Sequence, residues 1–393
     1  MNSQQPAGSP AGTFRVIVTG GGTGGHTYPA LTAVRALRSR IEADDRALDV
    51  LWIGKDGGLE QRVAESAGFR FAAVATGKIR RASNPLKMIT AANLKDMGRV
   101  PLGIAQARSL VAGFRPHVVL ATGGYVAVPV GLAARICGRP LVVHEQTVRL
   151  GLTNKLLARA ATCVAVSSES TLELLPSGVR AVVTGNPVRP ELLHGSADRA
   201  VEAPGLRGFA PDLPTVYVTG GAQGSRQINQ LVCRSAPWLL EQANLVHQCG
   251  KGNAAQLQSE YARQPAELVA RCFVTEFVGD ELADVLALSD LVVARSGAGT
   301  IAELTALGKP SVLIPLASSA GNEQLHNARN LHDAGAAVAL TGAVSEDALR
   351  AAMTPLLTER DRRLTMAARA RKLGRPDAAQ RLVDAMLEAA ARR

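Results

Sequence analysis

The stretch Val16-Ile-Val-Thr-Gly-Gly-Gly-Thr-Gly-Gly25 decides the fold, because it returns 200 positions later as Val216-Tyr-Val-Thr-Gly-Gly-Ala-Gln-Gly-Ser225. Val16, Val18, Thr19, Gly20, Gly21 and Gly24 recur as Val216, Val218, Thr219, Gly220, Gly221 and Gly224. Each copy reads as a short apolar strand, a glycine turn and an amphipathic helix. Such a unit aims the unpaired amides and partial positive charge of a helix N-terminus at an anionic ligand. Its duplication predicts an α/β chain of two Rossmann-like parallel-sheet domains facing each other across a cleft.

The pattern outside the turns agrees. Strand-like runs at Phe14–Thr19, Val50–Ile53, Phe71–Val74, Val118–Ala121, Leu141–Val143, Cys163–Val166 and Ala181–Thr184 alternate with helical ones. This is the signature of parallel strands with crossover helices. Asn186-Pro-Val-Arg-Pro190 breaks the alternation, since two prolines forbid helix there. It resumes with Thr215–Thr219, Leu245–Gln248, Cys272–Thr275, Leu291–Ala294, Ser311–Ile314 and Ala337–Leu340. The expected division is a tail over 1–13, a first domain over 14–186 and a second over 187–375. A terminal helix over 376–393, with Leu382, Val383, Met386 and Leu387 on one side, is expected to return to the first domain.

At 393 residues the chain is too long for one core, and 47% apolar residues suffice for two. Met1–Thr13 lacks the charge and apolar core of a signal peptide and reads as a disordered tail. No apolar run reaches the roughly 20 residues that span a bilayer. Five cysteines, Cys137, Cys163, Cys233, Cys249 and Cys272, have no metal-type spacing and read as reduced thiols of a cytoplasmic protein. The net charge of +11 is concentrated: Gln61 to Leu120 holds ten basic residues against two acidic ones. Between Lys78 and Arg108 these interleave with Ile79, Leu86, Met88, Ile89, Leu94, Met97, Val100, Leu102 and Ile104. That mixture suits anionic lipid headgroups, and equally an ordinary solvated face. Nucleic acid is not expected as a partner, because no basic stretch carries interleaved aromatics.

Gly20-x-Gly22-x-x-Gly25 matches the dinucleotide fingerprint, yet Val50-Leu-Trp-Ile53 runs into Gly54 and Lys55 where an acidic residue is required. A dehydrogenase is therefore disfavoured. The turn ends in His26. An imidazole beside bare amides is placed to take a proton near neutral pH, or simply to hydrogen-bond within the first helical turn. In the second half, strand Leu291–Ala294 leads through Arg295-Ser-Gly-Ala-Gly299 into a helix beginning near Thr300. Glu303, three residues on, reads as a capping-box partner or as the acceptor of two ribose hydroxyls. The polar stretch Gly321-Asn-Glu-Gln-Leu-His-Asn-Ala328 is able to meet sugar hydroxyls, or is a surface loop entering a helix. No Asp-x-Asp pair occurs, so a leaving diphosphate is expected to rely on amides, helix dipoles and cations, with no metal and no other cofactor.

Taken in order, Gly20-Gly-Gly-Thr-Gly-Gly-His26, Gly123-Gly-Tyr125, His144-Glu-Gln146, Asn186-Pro-Val-Arg189, Gly220-Gly-x-Gln-Gly224 and Arg295-Ser-Gly-Ala298 with Glu303 resemble the MurG family. These are bacterial N-acetylglucosaminyltransferases that convert lipid I to lipid II. The resemblance runs from about Arg15 to the C-terminus and implies the glycosyltransferase B fold. It implies UDP-N-acetylglucosamine on the second domain and the lipid-linked acceptor, lipid I, on the first. Position by position it implies His26 as the base, and Thr23, Gly24 and Gly25 near the diphosphate or the acceptor. It places Arg189, Ala222 and Ser225 on the nucleotide sugar, Val278 at the uracil, Ala298, Gly299 and Thr300 at the phosphates, Glu303 on the ribose and Gln324 at the sugar hydroxyls. Gly22, Tyr125, His144, Glu145, Gln146 and Thr147 would line the acceptor side.

Three positions depart from the family pattern: Thr147 for a usual Asn, Ala222 for a usual Ser (with Ser225 nearby to supply a hydroxyl), and Glu323 for a His or Gln. The resemblance further implies a peripheral protein on the cytoplasmic face of the inner membrane, with an anionic membrane surface and cell-wall synthesis proteins as partners. The alternatives are another lipid glycosyltransferase of this fold, a UDP-N-acetylglucosamine 2-epimerase, and a non-catalytic UDP-sugar-binding protein.

Overall fold

A computed structural model describes residues 12–77 and 91–392; the chain divides into two compact units, 1–187 with 377–393, and 188–376. The expected tail lies almost wholly outside the described residues, as does the first part of the basic-apolar segment, 78–90.

In the first unit seven strands form one parallel sheet: β1 (Phe14–Thr19), β2 (Leu48–Gly54), β3 (Arg70–Ala73), β4 (Val118–Ala121), β5 (Leu141–Glu145), β6 (Cys163–Val166) and β7 (Ala181–Val183). Their order is β3-β2-β1-β4-β5-β6-β7, and every pairing is parallel. Helices cover both faces, so strand residues are buried whichever way they point, and the strands read as continuous apolar runs. Val16 and Val18 face one core, Ile17 the other. The helix Ala378–Ala391 buries Leu382, Val383 and Met386 in the first of these cores, with Leu387 half-buried at its edge. In the helix Ala91–Phe114, Arg99, Leu102 and Arg108 are exposed, and Leu102 is the part of the expected lipid-facing set seen at the surface.

The second unit repeats the plan with β8 (Thr215–Thr219), β9 (Asn244–Gln248), β10 (Cys272–Thr275), β11 (Leu291–Ala294), β12 (Ser311–Leu313) and β13 (Val338–Ala339), ordered β10-β9-β8-β11-β12-β13 and parallel throughout. β13 is shorter than the Ala337–Leu340 run implied: Val338 and Ala339 are in register with Val312 and Leu313 of β12, while Leu340 adds one amide bond to the Leu313 carbonyl. In both sheets the order reverses at a duplicated strand, between β1 and β4 and between β8 and β11. The crevice outside the carboxyl ends at such a switch point is where open α/β sheets bind ligands. Both glycine turns lie there.

Candidate active site

Helix Gly24–Glu42 begins directly after the first turn, with Thr23 as its N-cap and no side chain closing the end. Gly21 donates to the Gly123 carbonyl and Gly22 to the buried Glu60 carboxylate, while His26 and Thr27 donate to the Thr23 carbonyl. The amides of Thr23, Gly24 and Gly25 are left without a protein acceptor among the described residues. The Gly22 N–H is thus spent on the protein, 3.2 Å from Glu60 Oε2. Glu60 also takes the Lys55 amide at 3.1 Å and is 1% exposed. The two-glycine step after β4 closes against this turn. Gly124 has φ +78°, and a Cβ there would stand 2.2 Å from the Gly21 carbonyl oxygen, so only glycine fits. The Tyr125 ring lies beside Gly22.

His26 does not hydrogen-bond within its own helical turn. Its Nδ1 meets Gln146 Oε1 at 2.9 Å, across 120 residues of chain. Gln146 Nε2 donates to the His144 carbonyl (2.8 Å) and to His144 Nδ1 (3.0 Å), and His144 Nε2 lies 2.9 Å from the Gly185 carbonyl. Burial holds His144 down to about 4, so it is neutral at physiological pH. The polar groups of His144, Glu145 and Thr147 are hydrogen-bonded within the protein. All three are buried, and Glu145 spends its oxygens on the Thr147 amide and hydroxyl, the Gly151 amide and Asn154 Nδ2. Thr147 Oγ1 is likewise engaged, 2.6 Å from the Arg149 carbonyl. These residues shape the loop after β5, and within the His144–Thr147 motif only Gln146 reaches His26.

In the second unit the turn after β8 exposes Ala222, and Ser225 caps helix Arg226–Arg234. Ser225 Oγ accepts from the Ile228 amide (3.3 Å) and from Arg295 (2.7 Å). Both acceptor positions of the buried hydroxyl are filled, and its O–H remains to donate. Gly224, at φ +72°, packs where a Cβ would be 2.2 Å from the Cys249 carbonyl oxygen. Arg295 joins four acceptors, adding Gln227 Oε1 and the Ile314 and Pro315 carbonyls, and its partial burial lowers its pKa. The two turns are thus backed by opposite groups, a carboxylate in the first unit and a guanidinium in the second.

Helix Ala298–Leu307 has Gly297 as N-cap and no side-chain cap. Ile301 donates to the Gly297 carbonyl, which leaves the amides of Ala298, Gly299 and Thr300 open at the carboxyl edge of β11. The capping-box expectation for Glu303 is overturned, because Thr300 is the third residue of the helix and not its cap. Glu303 instead pairs with Arg189 at 3.1 Å, and burial raises its pKa against the pull of that guanidinium. Gln324 accepts the Leu316 amide at Oε1, leaving its Nε2 free to donate.

Two side chains of this site are silent in the sequence. Gln248, at the end of β9, accepts from Tyr217 (3.3 Å) and the Val278 amide (3.0 Å), and donates to Thr219 Oγ1. The Val278 amide is thus held by Gln248 in this structure. Phe277 beside it is 60% exposed, an aromatic face at the carboxyl end of β10. Among the described residues no cluster of three or more His, Cys, Asp or Glu is arranged to hold a metal ion.

Known proteins share this fold. Residues 16–166 match the glycosyltransferase family 28 N-terminal domain and residues 215–382 the family 28 C-terminal domain. A relative from Desulforamulus reducens, named UDP-N-acetylglucosamine–N-acetylmuramyl-(pentapeptide) pyrophosphoryl-undecaprenol N-acetylglucosamine transferase, is 34% identical over 370 residues, covering 93% of this chain and 96% of its own. The crystal structure of Acinetobacter baumannii MurG superposes with a TM-score of 0.75 at 28% identity, covering 95% of this chain and 99% of that one. A Neisseria meningitidis UDP-GlcNAc 2-epimerase reaches 0.63 at 14% identity, covering 96% and 100%, a likeness of fold alone. The chain belongs to glycosyltransferase family 28, among the MurG transferases.

Proposed function

We infer that this chain transfers N-acetylglucosamine from UDP-N-acetylglucosamine to the 4-hydroxyl of the N-acetylmuramic acid of lipid I, releasing UDP and lipid II for peptidoglycan synthesis. The observation that carries the chemistry is His26, at the N-terminal end of a helix with three open amides and bonded through Nδ1 to Gln146. Its other ring nitrogen takes the proton as the hydroxyl oxygen attacks the anomeric carbon. The C1–O bond to the diphosphate breaks on the opposite face, and its electron pair leaves with UDP. In this reading the diphosphate rests on the amides of Ala298, Gly299 and Thr300, whose helix dipole favours the developing charge. Glu303 exchanges Arg189 for the ribose hydroxyls, Phe277 stacks on the base, and Gln324 Nε2 donates to the sugar. Arg189, released, faces the nucleotide sugar, with Ala222 at its turn. Thr23, Gly24 and Gly25 meet the acceptor beside Tyr125.

We further propose a peripheral position on the cytoplasmic face of the inner membrane, with the basic-apolar segment around Leu102 against anionic lipid and other cell-wall synthesis proteins nearby. No described helix is long and apolar enough to cross a membrane. The test is incubation with labelled UDP-N-acetylglucosamine, with and without a short-chain lipid I analogue. Acceptor-dependent UDP release with label in the lipid supports the reading. Epimerised nucleotide sugar, or UDP release indifferent to the acceptor, contradicts it.

A further inference from the structure

The hydrogen bonds running from Gly185 to His26 have a fixed direction, and the direction is decided at the end away from the substrate. The Gly185 carbonyl can only accept, so the His144 nitrogen 2.9 Å from it, Nε2, carries the proton. A neutral His144 then offers Nδ1 as an acceptor, and its burial keeps it neutral. Gln146 must present its amide nitrogen to that Nδ1. The His144 carbonyl, 2.8 Å from the same nitrogen, demands the same orientation independently. Gln146 Oε1 is thereby turned to His26, where Nδ1 at 2.9 Å must be the protonated nitrogen. The carboxylate of Glu145, the residue before Gln146, is consumed by the Thr147, Gly151 and Asn154 donors.

We propose that Gln146 and His144 are positioning residues which hold His26 as its Nδ1–H tautomer, making Nε2 the atom that receives the acceptor proton. This rests on reading His26 as the base. The O–H bond of the sugar hydroxyl breaks and an N–H bond forms at Nε2. The resulting imidazolium keeps the same Nδ1–H bond to Gln146, so no group in the chain has to rotate during the transfer. Among the described residues this is the hydrogen bond that disfavours the Nε2–H form, which cannot accept the proton.

The test is two-bond proton–nitrogen NMR on protein with 15N-labelled histidine. The chain has seven histidines, and His26 is assigned by the signal missing from His26→Ala. The expected parent spectrum at neutral pH shows a protonated Nδ1 and an unprotonated Nε2 at His26. In Gln146→Ala the two forms mix, kcat falls by about 10–100-fold as for other lost ligand-orienting contacts, and KM for UDP-N-acetylglucosamine stays within about twofold. Gln146→Glu places a carboxylate against the ring and moves the acid limb of the kcat profile to higher pH, which a merely structural role does not do. An Nε2–H form in the parent overturns the proposal, and that measurement stands even where the Gln146 variants fail to fold. The two layers separate cleanly. Parent turnover in His26→Ala removes the base itself, whereas an inactive His26→Ala beside a parent Nε2–H tautomer removes only the relay.

Discussion

Replacing Glu303 with alanine separates the two parts this residue has been given, partner of Arg189 and acceptor of ribose hydroxyls. A hydrogen bond to a charged group is worth about 1.5–3 kcal/mol, and two are made in the complex. Against this stands the Arg189 pair given up on binding. Its side chains are 43% and 25% exposed, which places it near the 0–1 kcal/mol of solvated ion pairs. Burial raises the Glu303 pKa, so part of the carboxylate's desolvation is already met before any ligand arrives. Allowing for imperfect geometry, the net loss is about 2–3 kcal/mol, or UDP binding weaker by about 30–150-fold. The folding stability of the second unit changes by less than about 1 kcal/mol, because Arg189 is left in contact with solvent. Titration calorimetry with UDP and with 2′-deoxy-UDP reads both parts: the parent discriminates between the two nucleotides and the variant does not. Equal UDP affinity in parent and variant refutes the reasoning, as does a loss that ignores the ribose hydroxyls.

Two further outcomes follow from buried groups away from the donor. His144 and His247 have pKa values depressed by burial to about 4 and about 3, below the ordinary 6.5. Below pH 6.5 the unfolded chain therefore binds protons that the folded chain refuses. The stability each confers is full above pH 6.5 and falls by about 1.4 kcal/mol per pH unit as acid is added, down to its folded value. Denaturant titrations between pH 4 and 7 measure this slope for each unit. His247→Gln flattens the slope of the second unit, and an unchanged slope contradicts the assignment. Gly124→Ala, at φ +78° and against the Gly21 carbonyl, costs at least about 2 kcal/mol and lowers turnover by displacing the turn that carries His26. A parent-like melting temperature with parent turnover contradicts it.

The strands were legible because both faces of each sheet are covered, so Val16-Ile-Val and Leu291-Val-Val carry apolar residues at every position. The glycine turns were legible because their backbone conformation and close packing exclude side chains. Pairings across long stretches of chain were not. Glu60 reaches Gly22 across 38 residues and Gln248 reaches Val278 across 30, and nothing local in either sequence announces the contact. The capping-box reading of Glu303 failed for a local reason: Gly297, which has no side chain, begins the helix three residues before Thr300. His26 is visible in the sequence as the end of the glycine turn, but its partner is on the loop after β5. Only the adjacency of β1, β4 and β5 brings Gln146 to it. The whole motif His144–Thr147 is buried there, and of its side chains Gln146 is the one bonded to His26.

The central claim is displacement at the anomeric carbon with inversion, driven by a base at His26. The donor sugar is α-linked to UDP, so attack from the opposite face creates a β bond. Supplying the donor labelled with 13C at C1, together with a short-chain lipid I analogue, and recording the NMR couplings of the product reports that bond directly. The account predicts a β-linked disaccharide lipid from the parent, and none from His26→Ala although that variant binds UDP with parent affinity. An α-linked product, free sugar in place of lipid product, or undiminished transfer by His26→Ala contradicts it.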